Sequence, residues 1–299
     1  MKNLLFIFFA VFAASDVSAV FAAEVNPASS LRAKYVSLLG QLNRNPFQLP
    51  LYLDSRKNSG DLQGDIYALL DYSFATVGSS VKAADQWCSI LFLHLNVKYC
   101  RADLGKRLTV YIGRKYYQPL DAAHRVEFTY QVAAANVDYL QVILHAEKGT
   151  LGTKNYRIML EAVPVDGKTF IHLSYSYAQG MVARLATEAY FSTAGSNKSG
   201  FTITGKQPDG QPIYIDDMRG ALERNTMRYY LALDAYLESL SAPQREQFEK
   251  RLRLWFASTE RYPQQLHEVT EGEYLDMKRK EFERQQAIPQ VQLLWIAFG

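Results

Sequence analysis

Two short stretches of the sequence come close to motifs that carry chemistry. Residues 200–207, GFTITGKQ, approach a phosphate-binding loop, but Gln207 stands where that motif needs a Ser or Thr to bind magnesium. Residues 267–271, HEVTE, approach the zinc-protease helix, but the second histidine is missing, so two imidazoles cannot share one helix face. No Gly-x-Ser-x-Gly nucleophile elbow occurs in the sequence. We therefore expect no catalytic residue, no metal site and no cofactor from these motifs.

Two polar side chains on predicted strands are candidates for the wall of an internal cavity. His172 alternates with Ile171 and Leu173 along one strand. Because successive side chains of a strand point to opposite faces, either His172 or its two neighbours face the interior. Arg157 on the neighbouring strand poses the same question. The alternative for His172 is a structural histidine held by hydrogen bonds.

A helix predicted over residues 221–240 carries a second pair of polar candidates. Its apolar residues recur at helical spacing and form one stripe, which we expect to face a sheet. Tyr230 and Asp234 lie one turn apart beside that stripe, so a hydroxyl and a carboxylate are placed to contact the polar end of a ligand. The alternative is the solvated edge of a core helix.

The two cysteines of the chain, Cys88 and Cys100, lie close together in the sequence. We predict a disulfide between them, which would close a small loop and stabilise the fold by about 3 kcal/mol. Two sulfurs alone supply too few ligands for a structural zinc site. Two buried free thiols remain the alternative.

The first residues predict the compartment. Lys2 precedes an apolar run over residues 4–14, and small residues follow up to Ala19 and Ala22, the pattern of a secretory signal peptide cleaved after one of these alanines. The apolar run is shorter than the roughly 20 residues that span a bilayer, which argues against the alternative of an uncleaved anchor. We therefore expect an exported protein of a bacterial periplasm, where a disulfide persists.

The composition suits a folded protein with a large core. Of the 299 residues 48% are hydrophobic, with 20 Tyr and 16 Phe, which excludes a disordered class for most of the chain. The 33 basic and 30 acidic residues are spread along the sequence and give a formal charge of +3. Because no basic patch emerges, we expect no nucleic-acid partner.

Alternating apolar and polar residues predict antiparallel strands in the middle of the chain. In residues 125–132, apolar residues including Phe128 and Tyr130 share one face and polar groups occupy the other. Asp166 and Gly167 form a dipeptide that favours a tight hairpin turn. Strands in succession, with helices before and after, favour the antiparallel α+β class. Further strands are predicted over residues 49–53, 62–72, 106–117, 139–146, 156–163 and 169–177, the first two as a hairpin.

Helices are predicted before and after the strands. The first begins at Pro27, with Ser29 or Ser30 as its cap, and ends before Pro46. Residues 196–217, rich in Gly, Pro and Ser, form a long excursion. Other helices are predicted over residues 181–192, 242–258 and 272–286. The predicted organisation is a signal peptide over residues 1–22, an N-terminal helical arm over 23–60, a core domain over 61–241, a helical extension over 242–288 and an apolar tail over 289–299.

The order of these elements resembles that of the START/polyketide-cyclase-like superfamily, which has the helix-grip fold. The resemblance covers residues 64–240 and is also carried by LDYSFATVGSSVKAADQWC at residues 70–88, where family members have a strand, a small helix and a Trp-containing turn. It implies a curved antiparallel sheet wrapped on a long C-terminal helix, with an apolar ligand between them. Residues 196–217 then form either a lid over the cavity or an ordinary surface insertion.

The resemblance implies that the chain binds or transfers a hydrophobic ligand such as a lipid, an isoprenoid or an aromatic metabolite. One alternative is a cyclase- or aromatase-like enzyme that uses His172, Asp234 or Arg157 in the same cavity. Another is an interaction protein whose cavity is filled by Tyr and Phe side chains. The apolar tail suits either peripheral contact with a membrane interface or docking in a groove. The candidates for the cavity wall are Phe128, Tyr130, Arg157, His172, Tyr175, Tyr230 and Asp234.

Overall fold

The computed structural model describes residues 26–58, 60–103, 106–180 and 198–298, and side chains of the last helix are described through residue 287. The predicted signal peptide over residues 1–22 and the predicted helix over residues 181–192 lie outside the described residues. No helix in the described part of the chain combines the length and the hydropathy needed to span a bilayer.

The described elements follow the predicted order. The helices are α1 (Pro27–Asn43), α2 (Phe74–Val81), α3 (Ala84–Leu91), α4 (Met218–Ser239), α5 (Gln244–Glu260), α6 (Pro263–Leu266) and α7 (Glu271–Phe298). The strands of the main sheet are β1 (Leu51–Asn58), β2 (Asp61–Leu70), β3 (Val97–Asp103), β4 (Arg107–Ile112), β5 (His124–Ala135), β6 (Leu140–Lys148), β7 (Thr153–Val165) and β8 (Lys168–Gln179). A separate hairpin of β9 (Ile203–Lys206) and β10 (Pro212–Tyr214) occupies part of the predicted excursion.

The eight strands of the main sheet form one curved antiparallel sheet in the order β1-β2-β8-β7-β6-β5-β4-β3. β1 and β2 form the predicted hairpin, with Asn58 opposite Asp61. β2 then pairs with β8, so this hairpin joins the end of the meander and not its beginning. At the turn between β7 and β8, Asp166 and Gly167 have φ angles of 48° and 78°, as the predicted tight turn requires.

The two faces of the sheet are both covered along β8. Ile171, Leu173 and Tyr175 point to the inner face, which packs against α4 and forms the main core. Phe170 and His172 point to the outer face, where Phe170 joins a second, smaller core. Because both faces are buried, the alternation of β8 could not show which face lines the interior.

α1 builds the second core on the outer face of the sheet. Its buried residues Leu31, Leu38 and Leu42 pack with Tyr139 and Phe170. Their spacing places them on one side of a helix, which explains why the sequence forms a helix here and why it docks on the sheet.

The cap of α1 differs from the prediction. The Asn26 side chain accepts hydrogen bonds from the backbone N–H groups of Ala28 and Ser29, at 2.9 and 3.4 Å. Pro27 therefore occupies the first turn, where its missing N–H costs no hydrogen bond. The predicted caps, Ser29 and Ser30, lie inside the helix instead.

α4 is the helix that the sheet wraps. Leu222, Thr226 and Leu233 of the predicted stripe are buried, as expected. Arg228 and Tyr230 on the other sides are buried as well, because α5, α6 and the segment that leads into α7 cover this side of α4. The predicted helical extension thus completes the core and does not stand beside it.

A glycine sets the distance between the sheet and α4. A Cβ atom at Gly64 of β2 would collide with Thr226 Oγ1 and lie 3.3 Å from Leu222 Cγ. Close approach of the helix therefore requires a residue without a side chain at this position.

The predicted disulfide is confirmed. Cys88 of α3 and Cys100 of β3 are bonded, with their Cα atoms 5.2 Å apart. β3 is the edge strand of the sheet, and α7 covers that edge, because Gln285 Oε1 accepts from the Cys100 N–H at 2.9 Å and Arg284 donates to the carbonyl of Lys98 at 2.9 Å. α7 then continues through Pro289, so the predicted tail over residues 289–299 begins as helix and not as a separate segment.

Candidate ligand cavity

A cavity of about 480 Å³ opens between α4 and the ends of several strands of the sheet. The loops before β3, after β4 and before β7 form its rim, while β7, β8 and α4 form its wall. A volume of this order suits a small organic molecule. The lining residues are His94, Asn96, Ile112, Gly113, Arg114, Gln118, Ala122, His124, Thr150, Leu151, Tyr156, Tyr175, Asn225 and Tyr229.

Three tyrosines form an aromatic wall in this cavity. The ring centroids of Tyr175 and Tyr229 are 5.1 Å apart, and those of Tyr156 and Tyr175 are 6.1 Å apart. Burial raises the pKa of Tyr175 and of Tyr229 well above its ordinary value, so both hydroxyls stay protonated. The wall therefore offers apolar ring surface together with neutral hydroxyl groups.

His94, in the loop between α3 and β3, supplies the most distinctive polar group of the cavity. Its Nδ1 lies 3.1 Å from the backbone N–H of Asn96 and accepts a hydrogen bond from it. Nδ1 is thus unprotonated in the neutral ring, and Nε2 carries the proton. Nε2 is buried and has no hydrogen-bond partner among the described residues. The side chain of Asn225 lies close enough to the imidazole to favour its protonated form, but it does not form a hydrogen bond of normal geometry with Nε2.

The imidazole of His94 is neutral. Burial lowers its pKa well below 6.5, and the nearby cations Arg228 and Lys278 lower that pKa further. A buried N–H donor without an acceptor costs about 1–3 kcal/mol of folding free energy. An acceptor atom of a ligand in the cavity would remove that cost, so His94 is a candidate contact for the polar end of a ligand.

Several contacts hold His94 in place. Its ring packs on Tyr229 of α4, with 5.0 Å between the ring centroids. Its carbonyl oxygen accepts a hydrogen bond of 3.0 Å from Lys278 of α7. The Asn96 side chain donates to the carbonyl of Gly113 at 2.6 Å and so ties this loop to the end of β4. The donor in the cavity is therefore set by helices and strands and not by a free loop.

Three of the sequence-predicted candidates point to the inner face. Tyr175 lines the cavity. Phe128 is buried in the main core. Tyr130 packs against that core elsewhere, and its hydroxyl donates to the carbonyl of Val81 at 3.2 Å. Tyr175 is the one of these three that contributes to the cavity wall.

Tyr230 and Asp234 lie on α4 but outside the cavity lining. Tyr230 is buried, so the alternative of a solvated helix edge does not hold for it. Asp234 is half-buried; burial raises its pKa to about 6, and repulsion from Glu238 contributes to the same shift while Arg261 opposes it. The residues of α4 that do line the cavity are Asn225 and Tyr229.

Arg157 and His172 do not enter the cavity, which corrects their prediction as cavity residues. Arg157 is exposed on the outer face of β7, where its guanidinium lies 3.7 Å from the sulfur of Met159. His172 is on the outer face of β8. The physical reason is the parity of the strands, because the apolar set of β8 packs against α4 and leaves the His172 set on the opposite side.

His172 forms a buried charge cluster on that outer face. Its Nε2 lies 2.8 Å from Asp65 Oδ1 and its Nδ1 lies 2.9 Å from Glu161 Oε2. Its ring stacks on Tyr67 with 4.3 Å between centroids. Burial lowers the pKa of His172, but the hydrogen bonds with Asp65 and Glu161 outweigh burial and raise it above 6.5. This histidine is a hydrogen-bonded structural residue, the alternative that the sequence left open.

Sequence reasoning missed His94. Its role depends on contacts with Asn96, Asn225 and Lys278, which lie in three separate elements. A usable signal was the pair Asn225 and Tyr229, one turn apart on the closing helix in the same way as Tyr230 and Asp234. Among the described residues no group of His, Cys, Asp and Glu is arranged to hold a metal ion.

The cavity lies where a curved antiparallel sheet wraps one side of α4, after a strand, two short helices and a six-strand meander. The chain has the helix-grip fold. The order of these elements along the chain is the one that the sequence predicted. The helix-grip domain of this chain is followed by α5 and α6, which bury the far side of the gripped helix, and by α7, which packs on α5 and β3.

Comparisons with known proteins add no activity. No protein-family model and no curated protein matches the chain. One similar solved structure is human StAR-related lipid transfer protein 5, with a TM-score of 0.34 and 8% sequence identity; the match covers 72% of this chain and 98% of that one. Another is Ara h 8.0201, with a TM-score of 0.34 and 9% identity over 60% of this chain and 99% of that one. CalU16 from Micromonospora echinospora is a third, with a TM-score of 0.31 and 10% identity over 70% of this chain and 96% of that one. At these scores and identities the likenesses assign no ligand to this chain.

Proposed function

We propose that this chain binds a compact amphipathic molecule in the cavity between the sheet and α4. The apolar body of the ligand packs on Tyr156, Tyr175 and Tyr229, and an acceptor atom receives the Nε2–H of His94. The proposal makes the chain a binding or carrier protein for small hydrophobic ligands. We further propose that it acts after export, on the basis of the signal-peptide pattern of residues 1–22 and the disulfide.

The observation that carries this proposal is the buried, unpartnered Nε2–H of His94, a residue that lines the same cavity as three tyrosines. Buried polar groups in folded proteins have hydrogen-bond partners almost without exception, and an orphan in a cavity marks a place for a ligand atom or an ordered water. A ligand that also buries apolar surface on the tyrosines gains more than a water does.

The size of the ligand follows from the packing around the cavity. Farther along the space between the sheet and α4, side chains such as Leu160, Leu173 and Leu231 fill the interior and belong to one continuous core. A ligand of fused rings or a short chain fits the volume of about 480 Å³ without disturbing that core. The enzyme alternative called for His172, Asp234 or Arg157 in the cavity. It loses support, because His172 and Arg157 lie on the outer face and Asp234 lies outside the cavity lining.

Binding is tested with the mature protein by native mass spectrometry and organic extraction of any molecule that co-purifies, followed by fluorescence titration with 1-anilinonaphthalene-8-sulfonate. We expect saturable binding at one site in the wild type and a loss of at least about tenfold in affinity in His94→Phe, which corresponds to one lost hydrogen bond to the ligand plus partial filling of the cavity. His145→Phe on β6 is the matched control, because His145 is not among the lining residues. Equal binding by all three proteins would overturn the proposal.

A further inference from the structure

A cluster of charges lies directly behind the His94 wall of the cavity. Glu268, whose side chain is 7% exposed, receives three cations: Lys115 at 2.5 Å, Arg228 at 2.9 Å and Lys198 at 3.2 Å. One carboxylate can balance one of these charges. Among the described residues, the cluster therefore carries an excess of positive charge.

The position of this cluster next to the cavity follows from the chain. Lys115 comes directly after Arg114, and Arg228 directly precedes Tyr229; Arg114 and Tyr229 both line the cavity. Lys115 and Arg228 also act electrostatically on the His94 imidazole. The positive charge therefore reaches the place where the unpartnered N–H of His94 lies.

A second set of cations approaches the same loop from α7. Lys98 and Lys278 share one carboxylate, that of Glu281, at 2.9 and 3.0 Å, and all three side chains are fully buried. Lys278 acts electrostatically on His94 as well. This set has more basic groups than carboxylates, and although burial lowers the pKa of Lys278 to about 8, it adds to the positive potential behind the cavity at pH 7.

The lining itself offers no negative charge to balance these cations. Among the described residues that line the cavity there is no Asp and no Glu, whereas Arg114 lies at the rim. In addition, the Nε of Arg228 is buried without a hydrogen-bond partner. A cavity with donors, neighbouring cations and no carboxylate favours a ligand whose polar end is an anion.

We propose that the ligand is an organic acid, an inference that rests on the proposed function. Its ring or short-chain body packs on the tyrosines, and its carboxylate or similar anion lies at His94, in the electric field of Lys115 and Arg228. The anion accepts the Nε2–H bond, and a charged acceptor forms a stronger hydrogen bond than a neutral one. Lys115 and Lys198 do not line the cavity and are about one-third exposed on their side chains, so they act on the anion through their charge and not by direct contact.

A matched pair of fluorescent probes tests the charge of the ligand. 1-Anilinonaphthalene-8-sulfonate and N-phenyl-1-naphthylamine share one aromatic body and differ by the sulfonate. We expect the wild type to bind the sulfonate at least about tenfold more tightly than the neutral probe. We expect Lys115→Gln to weaken sulfonate binding about fivefold, the effect of losing one partly solvated charge, and to leave binding of the neutral probe unchanged. Glu268 keeps Lys198 and Arg228 in this variant, so folding is retained.

The outcomes separate this inference from the proposed function. Equal affinity for both probes, lost in His94→Phe, would overturn the anionic ligand and support the cavity as a binding site. If neither probe binds, or if both bind His94→Phe as tightly as the wild type, the proposed function itself is overturned. Lys280→Gln, which replaces an exposed lysine of α7, is the control. If Lys115→Gln binds the sulfonate as strongly as this control does, the proposal of an anionic ligand is overturned.

Discussion

Lys278 of the C-terminal helix α7 donates a hydrogen bond of 3.0 Å to the carbonyl oxygen of His94. The same Nζ donates to the carbonyl of Val97 at 2.6 Å and to Glu281 at 3.0 Å. The side chain of Lys278 is fully buried. A helix that follows the helix-grip core thus holds the loop that presents the candidate binding group, so we regard α7 as part of the site.

Replacement of Lys278 by Met tests this role of α7. The variant keeps the length of the side chain but leaves two backbone carbonyls without their donor and Glu281 with Lys98 alone. Breaking a buried ion pair on one side costs about 3–5 kcal/mol, and we expect a loss of that size in the free energy of unfolding. Urea denaturation measures it.

Lys280→Met is the control for that variant. Lys280 lies on the same helix and is exposed, so its replacement should change the free energy of unfolding by less than about 0.5 kcal/mol. A Lys278→Met protein as stable as the control would show that the buried lysine contributes nothing to holding α7 on the core.

The His172 cluster on the outer face should make stability depend on pH. The pKa of His172 is raised above its ordinary value of 6.5, so its contribution is complete below pH 6.5 and is lost as the pH rises through the folded-state pKa. Burial raises the pKa values of Asp65 and Glu161, but hydrogen bonds from His172 and other neighbours outweigh burial and lower them. Their contribution is therefore lost only as the pH falls below about 4.

The variant His172→Asn leaves Asp65 and Glu161 buried without their shared cation. We expect it to be less stable than the wild type by about 3–5 kcal/mol at pH 5.5, and by less at pH 9, because the wild-type imidazole gives up its proton as the pH rises through its raised pKa. Chemical denaturation at the two pH values measures the difference, with His145→Asn as the control. A stability difference that stays the same from pH 5.5 to pH 9 would contradict the charged state of His172.

Asp234 should destabilise the fold above pH 6. Its folded-state pKa of about 6 exceeds the ordinary value of 3.8, so ionisation costs folding free energy as the pH rises through this range. We expect Asp234→Asn to stabilise the protein by up to about 3 kcal/mol at pH 7.5 and to have little effect at pH 4.

The control for Asp234→Asn is Asp121→Asn, at an exposed position between β4 and β5. Since Asp234 lies outside the cavity lining, the variant should also bind 1-anilinonaphthalene-8-sulfonate as the wild type does. A loss of stability at pH 7.5 would mean that the carboxylate makes favourable contacts that outweigh its burial.

Most of the fold could be predicted from the sequence, because its signals are local. The alternation in residues 125–132 and the dipeptide of Asp166 and Gly167 specify a strand and a turn without reference to the rest of the chain. The cysteine pair is likewise close in sequence. These are features that neighbouring residues determine on their own.

The site depended on contacts that the sequence does not display. The sequence left open which face His172 occupies, because α1 and α4 bury both sides of β8, so alternation gives the period of the strand but not its direction. His94 became a candidate only when residues of α4 and α7 surrounded it. The burial of Arg228 by α5 and α6 was missed for the same reason, since a charged residue on a predicted helix reads as exposed.

The central claim is that His94 offers a protonated, unpartnered Nε2 to a ligand. Nitrogen-15 NMR of the imidazole rings tests it most directly, since nitrogen shifts identify the tautomer and report a new hydrogen bond. We predict that His94 is neutral with the proton on Nε2 from pH 5.5 to pH 8, and that saturation with 1-anilinonaphthalene-8-sulfonate shifts its Nε2 resonance while those of His145 and His172 stay in place. A His94 that titrates near pH 6.5, or whose resonances do not respond to the bound probe, would contradict the account.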